Sequence, residues 1–269
     1  ARALAYRNSR GSRLNDPRLM SGLGLAGTGQ DGLRIIRYRM RSAGGNLFDL
    51  VVKESEGDAA GVVLARGDAR PVTATGSGPW WSVRLDAAGV VNPDGPVLFV
   101  SYSSCDSEAM PFLRGVVAEL ESGGVERLII DLRNNGGGNS APGTWFAGKL
   151  AGIDRFKEPG RVHVLVGPGS FSSAMWLAVD LMDKTPALFA GLPIAESPDS
   201  YGEVGRFALP ASGIVIGHST KRHRYSAGKN LRLRDGIVVP DEGLLLHPSY
   251  DDWLAARDGL FELVIGGAP

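Results

Sequence analysis

Cysteine occurs once in the 269-residue chain, at Cys105. A single thiol closes no internal disulfide and builds no cysteine-based metal knuckle, so neither a disulfide scaffold nor a zinc ribbon is expected. No run reaches the roughly eighteen apolar residues of a membrane-spanning helix, because glycine, proline or a charge interrupts each one. Nor is there an excess of either charge. Twenty-nine Lys and Arg balance twenty-nine Asp and Glu, which removes any global electrostatic case for a nucleic-acid partner. Solenoid-type repeats and low-complexity linkers are missing as well. What remains is 43% hydrophobic and 22% charged residues, a globular composition long enough for one large domain or two small ones.

The chain opens on Ala1, and its first twenty residues carry Arg2, Arg7, Arg10, Arg13 and Arg18 against Asp16 alone. No apolar stretch follows them, so a secretory signal is not expected, and a fragment of a longer chain is favoured over a targeting segment. Residues 33–53 alternate apolar and polar side chains around AGGN, the pattern of a β-hairpin with Gly44 and Gly45 in its turn. Residues 54–95 read as irregular and β-rich. From Pro96 the text becomes strand and helix in alternation: VLFVSY, a helix over 110–121, RLIIDLR, a helix over 141–150, VHVLVG and a helix over 173–183. The expectation is therefore a β-rich module over 1–95 and an α/β core over 96–269.

Two stretches of this core carry the candidate chemistry. In the first, RLIIDLRNNGGGNS, a buried-type strand runs into Gly136, Gly137 and Gly138, where backbone N–H groups are unobstructed by side chains. The same residues also suit a plain flexible turn, and no G-x-G-x-x-G register follows Gly136 or Gly138. In the second, VHVLVGPGSFSSAMWLAVDLMD, a strand turns through Gly167, Pro168 and Gly169 into a helix at Ser172 and Ser173. A serine there presents its hydroxyl where unpaired N–H groups and partial positive charge favour a developing oxyanion. It also suits a simple N-cap, and the G-x-S-x-G pattern of lipase-type elbows is not matched.

Together, LIIDLRNNGGG at 128–138 and VLVGPGSFSSA at 164–174 resemble the S41 serine peptidases, the family of C-terminal processing proteases and the tricorn core protease. DSYGEVGRFALPASGIVI at 199–216, VVPDEG at 238–243 and DDWLAARDGLFELVI at 251–265 extend the resemblance across most of 96–265. It implies a crotonase/ClpP-like core of ββα units, hydrolysis of peptide bonds in a peptide or protein substrate through an acyl-enzyme, and no metal or organic cofactor. It implies Ser172 as nucleophile, and an oxyanion hole made by the N–H of Ser173 with that of Gly137 or Gly138. A periplasmic or extracellular location is implied likewise, while the oligomeric state is not legible.

The general base is where this chain departs from the family. Ser197 stands where the processing proteases have lysine, Leu192 where they have glutamate, and Met175 replaces the glutamate three residues beyond the nucleophile. The tricorn-like branch takes its base from an upstream histidine, but the earliest histidine here is His163, inside a core strand. Glu203 is the acidic candidate for orienting a base or binding a substrate amine. Lys221 and His218 are further candidates in a basic loop, and Asp235 and His247 are weaker ones. Tyr102 is expected near the cleft, Cys105 as a small buried thiol, and Trp80 and Trp81 as core or peptide-binding aromatics. Two other readings stand beside a peptidase: a non-catalytic peptide-binding scaffold of the same fold, and a crotonase-like acyl-thioester enzyme.

Overall fold

The computed structural model describes residues 71–249, 252 and 255–267, together with strands at 26–28, 34–41 and 47–53. The chain divides into two compact units, residues 1–68 and 69–269. In the first unit, β1 (Ala26–Thr28), β2 (Arg34–Arg41) and β3 (Leu47–Lys53) form a three-stranded antiparallel sheet in that order. The β2–β3 pairing joins Arg41 to Leu47 and Ile35 to Lys53, the hairpin expected from the alternation. Its turn at Gly44 and Gly45, the arginine-rich opening and residues 54–70 lie outside the described residues.

The second unit is built on a five-stranded sheet ordered β4 (Trp80–Leu85), β5 (Val97–Tyr102), β6 (Arg127–Asp131), β7 (Val162–Val166) and β8 (Leu188–Gly191). β4 is antiparallel to β5, and the other neighbours are parallel. Parallel neighbours need crossover connections, supplied here by α1 (Ala109–Glu121), α2 (Ala141–Leu150) and α3 (Ser173–Lys184). The sequence places the boundary between modules at 95, whereas the compact units part at 68/69, because Trp80–Leu85 is an edge strand of the core sheet.

Strand residues alternate between two apolar layers, as a period of two requires. Leu98, Val100, Leu128, Ile130, Val164 and Phe189 pack with α1, α2 and α3. Val97, Phe99, Ile129, Leu165 and Ala190 pack on the other face against α4 (Gly259–Ile265), through Leu260, Phe261 and Val264. Helix α1 buries Ala109, Leu113, Val116, Val117 and Leu120, one stripe at helical spacing. Helix α3 is buried along nearly its whole length, and that fixes the position of its first residue. The neighbouring tryptophans split between the layers. Trp80 packs with the first and donates its indole N–H to Ser104 O at 2.6 Å, while Trp81 meets Phe99 at 5.3 Å in the second.

Beyond β8, strands β9 (Tyr201–Ala208) and β10 (Val215–Arg222) form an antiparallel ribbon with nearly every residue exposed. A two-residue hairpin, β11 (Leu233–Arg234) with β12 (Ile237–Val238), follows. Among the described residues no helix is long and apolar enough to cross a membrane, and no cluster of His, Cys, Asp or Glu could hold a metal ion.

Candidate active site

The carboxyl ends of the parallel strands come out together, so the loops after β5, β6, β7 and β8 converge, the usual place for a site in an open parallel sheet. The glycine strip follows β6. Buried Asn135 organises it: Nδ2 donates to Tyr102 O at 2.7 Å, and Oδ1 accepts the Gly137 N–H at 2.9 Å. The strip then pairs with the loop after β5, Cys105 N donating to Gly137 O at 3.1 Å and Asn139 N to Cys105 O at 2.7 Å. Close approach is what demands glycine here. A Cβ on Gly138 would lie 1.8 Å from Cys105 O, and Gly138 adopts φ +132°, a left-handed value that other residues avoid.

The loop after β7 docks on the same strip. Phe171 N donates to Asn135 O at 2.9 Å, and buried Ser170 Oγ donates to Leu132 O at 2.8 Å while accepting the Gly167 N–H. These contacts force a sharp entry into α3, and Ser172 takes it up at φ 54° and ψ −119°, a conformation costing a non-glycine residue about 1–3 kcal/mol. Its side chain is half-buried and caps no helix N–H. Gly137 lies directly against it, since a Cβ there would meet Ser172 Cβ and Phe171 O at 2.7 Å. Buried Ser173 opens the helix, its Oγ donating to Gly138 O at 2.6 Å. Among the described residues the N–H groups of Ser173 and Gly138 make no hydrogen bond, whereas that of Gly137 is taken by Asn135.

Four of the expected site residues, Ser172, Ser173, Gly137 and Gly138, thus meet at one point. Glu203 does not join them. It is an exposed residue of β9 at φ 56°, in contact with Thr220 of the partner strand through its carbonyl. His218 and Lys221 are exposed on β10, opposite Gly205 and Gly202, and Asp235 forms the β11–β12 turn. His163 is buried and faces the α4 layer, away from α3, where burial and then Arg127 push its imidazole down to about 4. Tyr102 is buried in the core instead of lining a cleft. Cys105 is buried too, and burial pushes its thiol up to about 11 despite the hydrogen bond with Asn135.

The carboxylate that reaches Ser172 is one the motifs did not single out. Glu196 Oε2 accepts the Ser172 N–H at 2.6 Å, and its Oε1 accepts from Ser200 Oγ at 3.0 Å. The only sequence signal was its place beside Ser197, in the segment compared with the processing proteases. One turn along α3, Trp176 stacks on Tyr225 at 4.7 Å and meets His223 at 4.6 Å. Fully buried Asp180 anchors the same loop, accepting from Tyr225 Oη, Thr144 Oγ1 and Lys229 Nζ at 2.8–2.9 Å. Burial opposes its ionisation, but these donors hold the carboxyl below the usual range.

A separate pocket of about 470 Å³ opens beside the ends of β6 and β7, and Ser172 is not among its lining residues. At its wall Arg133 bridges Asp131 and Asp258, each at 2.6 Å. Asp258 also caps α4, accepting the Phe261 N–H. His247 lines this pocket and not the serine site.

No protein-family model and no curated protein matches the sequence. Solved structures do match. Mature CPAF complexed with lactacystin aligns over 87% of this chain and 68% of its own, at 14% identity and TM-score 0.50. The photosystem II D1 C-terminal processing protease aligns over 81% at 19% identity and TM-score 0.48, and this chain spans 56% of its length. A structure from Bacteroides fragilis NCTC 9343 assigned to the S41 proteases aligns over 94%, at 12% identity and TM-score 0.45. At these identities the likeness concerns architecture alone, and the CPAF alignment, at TM-score 0.50, gives the chain an S41-peptidase-like fold.

Proposed function

We propose that this chain is a serine peptidase that cleaves peptide bonds through an acyl-enzyme on Ser172. The observation that carries the reading is the strained Ser172 elbow, packed against Gly137 and flanked by two unengaged N–H donors. Ser172 Oγ attacks the substrate carbonyl carbon, and the oxyanion is held by the N–H groups of Ser173 and Gly138. Gly138 is preferred over Gly137 because the Gly137 N–H already serves Asn135. Donors from two loops that are fixed before substrate arrives need no reorganisation, and each is worth about 2.7–4 kcal/mol of transition-state stabilisation. The S41-like architecture supports the same reading.

The test is covalent labelling of the folded chain with a fluorophosphonate, read by intact mass and peptide mapping, with Ser172→Ala as control. One adduct on Ser172, lost in the control, is expected. A non-catalytic scaffold is the second reading, favoured by the Ser172 hydroxyl, which makes no hydrogen bond to any residue among the described ones. A folded chain that takes no label but still binds peptide would establish it.

A further inference from the structure

We infer that Glu196 is the catalytic base that takes the proton of Ser172, an inference that rests on the serine-peptidase reading above. Its Oε2 already sits 2.6 Å from the Ser172 nitrogen, and the hydroxyl oxygen is three bonds from that nitrogen. The Ser172 hydroxyl makes no hydrogen bond among the described residues, and a staggered rotamer that turns Oγ toward the nitrogen brings it within reach of the same carboxylate. The carboxylate is held in place from the other side by Ser200 Oγ on Oε1. An ionised carboxylate has about four acceptor positions, so two hydrogen bonds leave room for a third.

The segment that carries Glu196 is as well pinned as the serine. Leu192 N donates to Val166 O at the end of β7, and Ile194 N to Val238 O, with Ile194 fully buried. The competing groups are placed less well. Glu203, His218 and Lys221 belong to the exposed ribbon, and His163 faces the opposite layer. His223 packs against Trp176, one turn along α3 from Ser172, at 4.6 Å between ring centroids, and makes no hydrogen bond to Ser172 N or O.

In the acylation step the Ser172 O–H bond breaks, its proton passes to Glu196, and the oxygen forms a bond to the carbonyl carbon. The carbonyl electron pair moves onto oxygen, between the N–H groups of Ser173 and Gly138. When the intermediate collapses the C–N bond breaks, and the Glu196 carboxyl returns the proton to the departing amine. Water then repeats the sequence against the ester, releasing the acid and restoring both side chains.

The experiment measures fluorophosphonate labelling rates at Ser172 in the full chain for wild type, Glu196→Gln, Glu196→Ala and His223→Asn, with thermal unfolding to confirm folding. Glutamine keeps an oxygen for the Ser172 N–H and so preserves the elbow while removing the base. We expect Glu196→Gln to label at least about 100-fold more slowly, the range a general base supplies. In Glu196→Ala, added formate is expected to restore part of the rate, which a purely structural role would not show. A wild-type rate in Glu196→Gln overturns the inference, as does a loss confined to His223→Asn, and both leave Ser172 as nucleophile. A folded wild type that takes no label at all overturns this inference and the peptidase reading together.

Discussion

Alanine at each of two adjacent glycines, Gly136 and Gly137, should produce very different proteins. At Gly136 the backbone φ is not in the left-handed region and an added Cβ meets nothing within 4 Å. A change within about 0.5 kcal/mol is therefore expected. At Gly137 the φ of +94° alone costs alanine about 1–3 kcal/mol. The new Cβ would also lie 2.7 Å from Phe171 O and from Ser172 Cβ. The carbonyl cannot turn aside cheaply, because it accepts the Ala174 N–H in the first turn of α3, and Phe171 N is tied to Asn135 O. The strain alone converts to a fall in Tm of about 2–12 °C for a chain of this size. Relief of the overlap has to push Ser172 out of place, and a displacement of about 1 Å is enough to cost on the order of 100-fold in rate. The assay pairs thermal unfolding with fluorophosphonate labelling of the two variants. Equal Tm and equal labelling rates for Gly137→Ala and Gly136→Ala would refute the contact between strip and serine.

Two further outcomes test the core around the site. His163 is held near 4 in the folded chain, below the ordinary 6.5 of an unfolded histidine. The unfolded chain therefore takes up a proton first as pH falls, and up to about 3 kcal/mol of stability present above pH 6.5 is lost by about pH 4. Denaturant unfolding across that window should show this loss, and His163→Leu should remove that share of it. Arg133→Ala strips the shared cation from Asp131 and Asp258 at the wall of the pocket. The network is partly buried, with the Arg133 side chain 23% exposed, so urea unfolding should show a loss of about 1–3 kcal/mol from the charge-assisted hydrogen bonds removed.

How much of this was legible beforehand follows from the range of each interaction. The α/β alternation is a local property, since a buried strand and an amphipathic helix each announce themselves by period. The helix over Ala141–Leu150 and the strand over Val162–Val166 accordingly appear where the text places them. The meeting of the glycine strip with the serine pair was also readable, because only glycine tolerates such close backbone approach. Trp80–Leu85 reads as part of an N-terminal module, because nothing local distinguishes an edge strand of one sheet from a strand of another. Pairing with β5 decides it. Glu203 stood out because it sits inside a recognisable motif, yet β9 carries it onto an exposed ribbon. Glu196 is marked in the sequence only by its place beside Ser197, and only the return of the chain after β8 brings its carboxylate to the Ser172 nitrogen. Sequence alone thus determined where backbone can approach backbone, at the glycine strip, and which serines stand at the strand-to-helix turn beside it, since both follow from side-chain type and local backbone freedom. Which carboxylate stands beside the serine was decided by tertiary structure, because the two are 24 residues apart and a contact at that separation depends on how the intervening helix and strand pack.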